Sequence, residues 1–148
     1  MATQPILVLN GPNLNMLGKR EPAIYGTTTL GDIEAACRAD GERLGIPVDF
    51  RQSNYEGKLI DWCQEARETM SGIVVNPAGL THVSVPLRDA LLASELPVIE
   101  VHLSNIHARE PWRNHSYVSD IAVGVICGLG AAGYRFAIEA MADIVTDN

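Results

Sequence analysis

The sequence predicts a doubly wound three-layer α/β domain with a five-stranded parallel sheet. Two observations predict it: five short apolar runs without polar alternation, and helical apolar stripes in the stretches between them. A third supports it, because turn-forming and polar residues gather just after the runs.

The first run, residues 5–10, is almost wholly apolar and ends in Asn-Gly-Pro-Asn. The same shape recurs at residues 46–53, at 72–76 before Pro77, at 97–102, and at 121–127 before Gly128. Such runs fit strands buried on both faces. Between the first two, Leu30, Ile33, Cys37 and Leu44 share a helical face, with Thr29 and Asp32 spaced as a capping pair. Leu59, Cys63, Ala66 and Met70 form a second stripe. Leu87, Leu91 and Ser94 form a third, with Pro86 tolerated near the helix start. Tyr134, Ala137, Ile138, Met141 and Val145 form the last. Strands alternating with helices imply right-handed crossovers and one domain spanning residues 1–148. One connection, residues 11–28, is too long for an ordinary strand-to-helix turn and has the length of a lid or binding loop. A second long connection, residues 103–120, carries two histidines and two arginines.

Composition narrows the classes of function. Hydrophobic residues make up 47% and charged residues 20% of the 148 residues, ordinary values for a globular protein. No apolar run reaches the ~20 residues needed to cross a bilayer, and the N-terminus lacks a signal-peptide pattern, so a cytoplasmic protein without membrane association is expected. The net charge of −7 argues against nucleic acid as a partner. An anionic small substrate would need positive potential gathered locally. Cys37, Cys63 and Cys127 are odd in number, far apart and set among apolar residues, so buried free thiols are expected. His82, His102, His107 and His115 show no metal-ligand spacing, so no metal is expected. Gly128-Leu-Gly-Ala-Ala-Gly133 mimics a dinucleotide fingerprint, but only 15 residues follow it, too few for the second strand and acidic residue of that unit. It is read as close packing at a strand-to-helix turn.

In an open α/β sheet, ligands bind outside the carboxyl ends of the strands. The unusual polar residues follow those ends: Asn10 and Asn13, then Gln52, Ser53 and Asn54, then Asn76 and His82, then Glu100, His102 and Ser104. Glu100 and His102, two apart on a strand, point to one face. The spacing suits a carboxylate that fixes the tautomer of an acid–base histidine, and equally a structural pair. Arg20 and Tyr25 share the first long connection. A free tyrosine, with a pKa of ~10, is a poor base, but a guanidinium nearby favours the phenolate. Tyr25 alternatively packs the loop down. Arg109 and Arg113 supply forks that suit a carboxylate.

Several blocks together resemble the type II 3-dehydroquinate dehydratases along nearly the whole chain. They are Leu9-Asn-Gly-Pro-Asn-Leu-Asn15, Arg20-Glu-Pro-Ala-Ile-Tyr-Gly26, Phe50-Arg-Gln-Ser-Asn54 with Glu56-Gly57, Asn76-Pro77, Thr81-His82, Leu87-Arg-Asp-Ala90, Glu100-Val-His-Leu-Ser-Asn105 and His115-Ser-Tyr-Val-Ser119. The resemblance implies a flavodoxin-like fold with strand order 2-1-3-4-5, and a homo-oligomer, a dodecamer built from trimers. It implies anti elimination of water from 3-dehydroquinate through an enolate, without a cofactor. By the same resemblance Tyr25 is the base, tuned by Arg20, and Asn13 helps hold the water that stabilises the enolate. His102, steadied by Glu100, is the acid. Asn76, His82, Asp89 and Arg113 bind substrate hydroxyls, Asp89 at or across a subunit boundary, while Leu103 and Ser104 hold the carboxylate. The chain departs from the family pattern at Ala78-Gly79-Leu80, at Tyr55 and at Ala131-Ala132. The alternative is a flavodoxin-like nucleotide or flavin binding module. It needs a hydroxyl-rich first loop, which residues 11–15 do not provide.

Overall fold

A computed structural model describes residues 3–19, 23 and 26–147. Five strands, β1 (Ile6–Asn10), β2 (Val48–Gln52), β3 (Gly72–Asn76), β4 (Val98–His102) and β5 (Gly124–Cys127), form one parallel sheet in the order β2-β1-β3-β4-β5. Four long helices connect them: α1 (Leu30–Leu44), α2 (Glu56–Thr69), α3 (Val85–Ser94) and α4 (Ala132–Thr146).

The apolar runs work as the sequence reading requires, because alternate residues serve opposite faces. Ile6 and Val8 join one core with Ile33 and Cys37 of α1 and Tyr134, Ala137 and Ile138 of α4. Leu7 and Leu9 join the other, with Leu59 and Cys63 of α2 and Leu87 and Leu91 of α3. A strand with two buried faces has no place for a polar residue until its end. Fully burying each such aliphatic side chain is worth about 1.5–3 kcal/mol.

The predicted helix signals are realised. Thr29 Oγ1 accepts from Asp32 N and Asp32 Oδ2 accepts from Thr29 N, both at 3.1 Å, completing a capping box. Ser84 caps α3 and Pro86 sits in its first turn, where a missing N–H costs nothing. The glycine-rich stretch after β5 closes the sheet against α4. Gly128 adopts φ +88°, and a Cβ on Gly133 would press on Val101 and Ile126.

Two sequence expectations need correction. The fifth strand begins at Gly124, because Ile121 and Ala122 turn back on Val118 and pack against the second core. Cys127 is only partly buried, since β5 is an edge strand and its outer side lacks cover, whereas Cys37 and Cys63 are buried as expected.

β1 sits between β2 and β3, so the strand order reverses there and a crevice opens at the carboxyl ends. Gly11 makes the crossing possible. Its N–H donates to Asn76 O at 2.8 Å, and a Cβ would fall 2.4 Å from Pro77 O. The chain then runs into a 3-10 turn, Leu14–Met16, whose Leu14 is buried in the first core together with Leu17. The described first part of the 11–28 connection therefore packs onto the first core.

Candidate active site

The crevice is lined at its floor by Asn76 and His102 and on one wall by Asn13, Leu14 and Leu17. His82 and Ala78 line it from the 3-10 turn Ala78–His82, and Leu103, Ser104, Arg109 and Arg113 line it from the connection after β4. Its free volume is about 150 Å³. A water occupies roughly 30 Å³ of liquid, so the space suits one small ring rather than a dinucleotide. Among the described lining residues are two arginines and two histidines but no carboxylate. A protein of net charge −7 thus presents a locally cationic crevice, suited to a small anion.

His102 ends β4 at 4% exposure, and Glu100, two residues earlier, is wholly buried beneath it. Its Nε2 is hydrogen-bonded to Glu100 Oε2. Ser119 Oγ donates to Glu100 Oε1 at 2.6 Å, and Ser116 Oγ reaches Oε2 at 3.0 Å. Burial alone would push the Glu100 carboxyl up. The hydrogen bonds from His102, Ser119 and Ser116 outweigh it and hold the group below the ordinary glutamate range. A carboxylate only accepts, so His102 Nε2 carries the proton in this pair.

His82 is fixed differently. Its Nδ1 lies 2.7 Å from His115 O, and a carbonyl can only accept, so Nδ1 bears the proton and Nε2 is left as an acceptor in the neutral ring. Desolvation lowers its affinity for a second proton, only partly offset by the His115 hydrogen bond, and His102 and Arg113 add to the lowering. Arg113 lies over the Trp112 ring at 4.2 Å and is hydrogen-bonded through Nε to Glu110. That leaves its terminal nitrogens for the crevice.

Asn76 occupies the end of β3, 3% exposed. Its Oδ1 accepts from Ala78 N at 3.1 Å and its Nδ2 donates to Tyr134 Oη at 2.9 Å. Tyr134 Oη donates in turn to Asn10 Oδ1 at 2.7 Å. Asn13 adopts φ 70°, a conformation asparagine tolerates, and its N–H donates to Asn54 Oδ1 at 2.9 Å. Ala78 also has a positive φ, 55°, which favours glycine.

The structure therefore gathers Asn13, Asn76, His82, His102, Leu103, Ser104 and Arg113 around one crevice, with Glu100 beneath. Asp89 does not join them: it lies exposed on α3. Arg20 and Tyr25 lie outside the described residues. His107 and His115 are exposed and do not line the crevice. Sequence reasoning assigned no role to Ser116, Ser119 or Tyr134. The serines fall in an irregular connection with no period to expose them, and Tyr134 reads as one more apolar position of its helix. Among the described residues, no group of three His, Cys, Asp or Glu residues is arranged to hold a metal, and no helix is long and apolar enough to cross a membrane.

The family model for Dehydroquinase class II matches residues 4–142. The chain is 61% identical over 141 residues to "3-dehydroquinate dehydratase 2" of Pseudomonas aeruginosa, covering 95% of each chain. It is 59% identical over 137 residues to a "Catabolic 3-dehydroquinase" of Aspergillus clavatus, covering 93% of this chain and 91% of the relative. Its structure superposes on the crystal structure of type II dehydroquinase from Propionibacterium acnes with a TM-score of 0.91 at 45% identity, over 96% of this chain and 98% of that one.

Proposed function

The chain belongs to the class II dehydroquinase family, and from that premise we propose that it removes water from 3-dehydroquinate to form 3-dehydroshikimate. The observation that carries this reading is His102 at the crevice floor with Nε2 engaged by a buried carboxylate. This arrangement holds an imidazole in one orientation at the crevice, as a general acid requires.

The proton at C2 passes to Tyr25 as the C2–H bond breaks, and its electron pair moves into an enolate. Arg20 favours the phenolate that acts as base, and Asn13 helps hold the water that stabilises the enolate oxygen. The C1–oxygen bond then breaks as His102 delivers a proton to the leaving hydroxyl, and water departs. No oxidation state changes, so the step calls for no redox cofactor. Asn76, His82 and Arg113 bind substrate hydroxyls, while Leu103 and Ser104 hold the carboxylate.

Asp89, on the exposed face of α3, binds substrate from a neighbouring subunit, within a dodecamer built from trimers. Light scattering of the purified protein measures that assembly. On this reading the 11–28 connection is a lid that closes over bound substrate and excludes water, and much of it, Arg20 and Tyr25 included, lies outside the described residues. Proteolysis near Lys19 or Arg20 should slow when a substrate analogue is bound; equal cleavage counts against closure.

Adding 3-dehydroquinate to the purified protein tests the function directly. The conjugated enone of dehydroshikimate should grow in at ultraviolet wavelengths, and its absence would refute the assignment. Borohydride added with substrate should leave the mass unchanged, because Lys19 and Lys58 are both exposed and neither has the apolar surroundings that make an amine nucleophilic at neutral pH.

A further inference from the structure

We propose that Ser116 and Ser119 are positioning residues for the dehydration, holding Glu100 as an aligned carboxylate and through it setting the orientation and proton affinity of His102. The proposal rests on the reading of His102 as the general acid.

A carboxylate at 0% exposure is costly unless its lone pairs are occupied. In Glu100 protein groups occupy them. Ser119 Oγ lies 2.6 Å from Oε1, Ser116 Oγ lies 3.2 Å from Oε1 and 3.0 Å from Oε2, and His102 takes the remaining side of Oε2. The Ser116 hydroxyl has no freedom to turn away. It accepts the N–H groups of Val118 at 3.0 Å and Ser119 at 3.1 Å, so its own hydrogen is directed at the carboxylate.

The segment that carries the serines is clamped from two sides. Tyr117 N donates to Thr81 O at 2.9 Å, beside His82, and Arg88 Nη1 of α3 donates to Tyr117 O at 2.8 Å while pairing with Asp120. The same segment fixes the second histidine of the site through His115 O. Residues 115–119 thus set the tautomer of His82 and the alignment of Glu100 together.

Among the described residues, the charged and titratable groups around the pair include His82 from its 3-10 turn and Arg109 and Arg113 from the 103–120 connection, with His82 feeling Arg113, Glu100 and His102. Removing a hydroxyl that donates to the carboxylate leaves it more basic. Both protonation steps of the coupled Glu100–His102 pair then move to higher pH. A hydrogen bond to a charged group corresponds to about one pH unit or more.

Ser119→Ala is the discriminating variant, because its hydroxyl donates to Glu100, whereas Ser116 also organises the turn. The experiment follows kcat against pH, and the ring resonances of His102 against pH, in the wild type and in Ser119→Ala. His82 is resolved separately by its own resonance, and thermal unfolding monitors the fold. The expected result is a shift of the His102 midpoint and of the kcat profile to higher pH by about one unit, with a much smaller change at His82 and KM nearly constant. A uniform loss of kcat with unmoved midpoints, or no change at all, overturns the proposal. If Ser119→Ala fails to fold, Ser116→Ala is read in the same way. Loss of the acid reading itself is distinguishable, because it shows as turnover retained in His102→Ala.

Discussion

Tyr134, at the start of the last helix, receives the side-chain amide of Asn76 at 2.9 Å from the end of β3, 58 residues earlier. The tyrosine is buried, and desolvation pushes its phenol well above the usual tyrosine range, so it works as a neutral hydrogen-bonding bridge. Passing its own hydrogen to Asn10 makes the bridge directional: Asn76 must offer Nδ2 to the phenol and Oδ1 to Ala78 N. One Nδ2 hydrogen is then left for the crevice.

Tyr134→Phe should leave Asn10 Oδ1 and Asn76 Nδ2 without this buried partner. The expected loss of stability is about 1–3 kcal/mol. With the Asn76 amide no longer fixed, KM for 3-dehydroquinate should rise more than kcat falls. Urea unfolding and steady-state kinetics on the same preparation measure both, and a variant with wild-type stability and KM would show that the bridge orients nothing.

His102→Ala should lower kcat by about 10²–10⁴-fold, the usual contribution of a general acid. The circular dichroism spectrum should be retained, because Ser116 and Ser119 still hold the Glu100 carboxylate. A variant keeping more than about a tenth of wild-type turnover would be incompatible with a contribution of that size.

Tyr25→Phe should abolish proton abstraction while leaving substrate affinity largely intact. On the proposed role of Arg20 as the cation that favours the phenolate, Arg20→Ala should retain binding but lose most of kcat at neutral pH, with the basic limb displaced to higher pH. The comparison of kcat–pH profiles decides the matter: an unchanged profile in Arg20→Ala would remove Arg20 from the tuning of the base.

The two core thiols make stability depend on alkaline pH. Burial pushes Cys63 up to about 12, and burial together with the carboxylates of Asp40 and Glu34 pushes Cys37 up to about 12. An acid whose folded pKa lies above its unfolded value gives full stability below the unfolded pKa. That stability falls as pH rises toward the folded value, because the unfolded chain alone releases its proton. From about pH 8.5 upward each thiol should remove about 1.4 kcal/mol per pH unit. Urea midpoints across that window should fall steeply in the wild type and less steeply in Cys63→Ala. Parallel slopes would contradict the buried-thiol assignment.

The sheet, the helices and the sheet edge that carries the crevice were legible in the chain before folding was considered. Their signals are local and periodic: apolar runs such as Leu7–Leu9 between two cores, a Thr29–Asp32 cap, polar residues after each strand. Glu100 and His102 were legible as a pair because a strand forces residues two apart onto one side. The family blocks added roles to Asn13, Asn76, His82 and Arg113, and the structure brings those residues to one crevice. The side-chain partners were not legible in this way. No spacing rule links Ser116 and Ser119 to Glu100, Tyr134 to Asn10 across 124 positions, or His115 O to the tautomer of His82. Nor does one predict that Asp89 faces away from the crevice or that Cys127 sits on an uncovered edge. The reason is physical: periodicity records which face of an element is buried, whereas a hydrogen bond between distant side chains depends on how whole elements pack, and an irregular connection has no period to read.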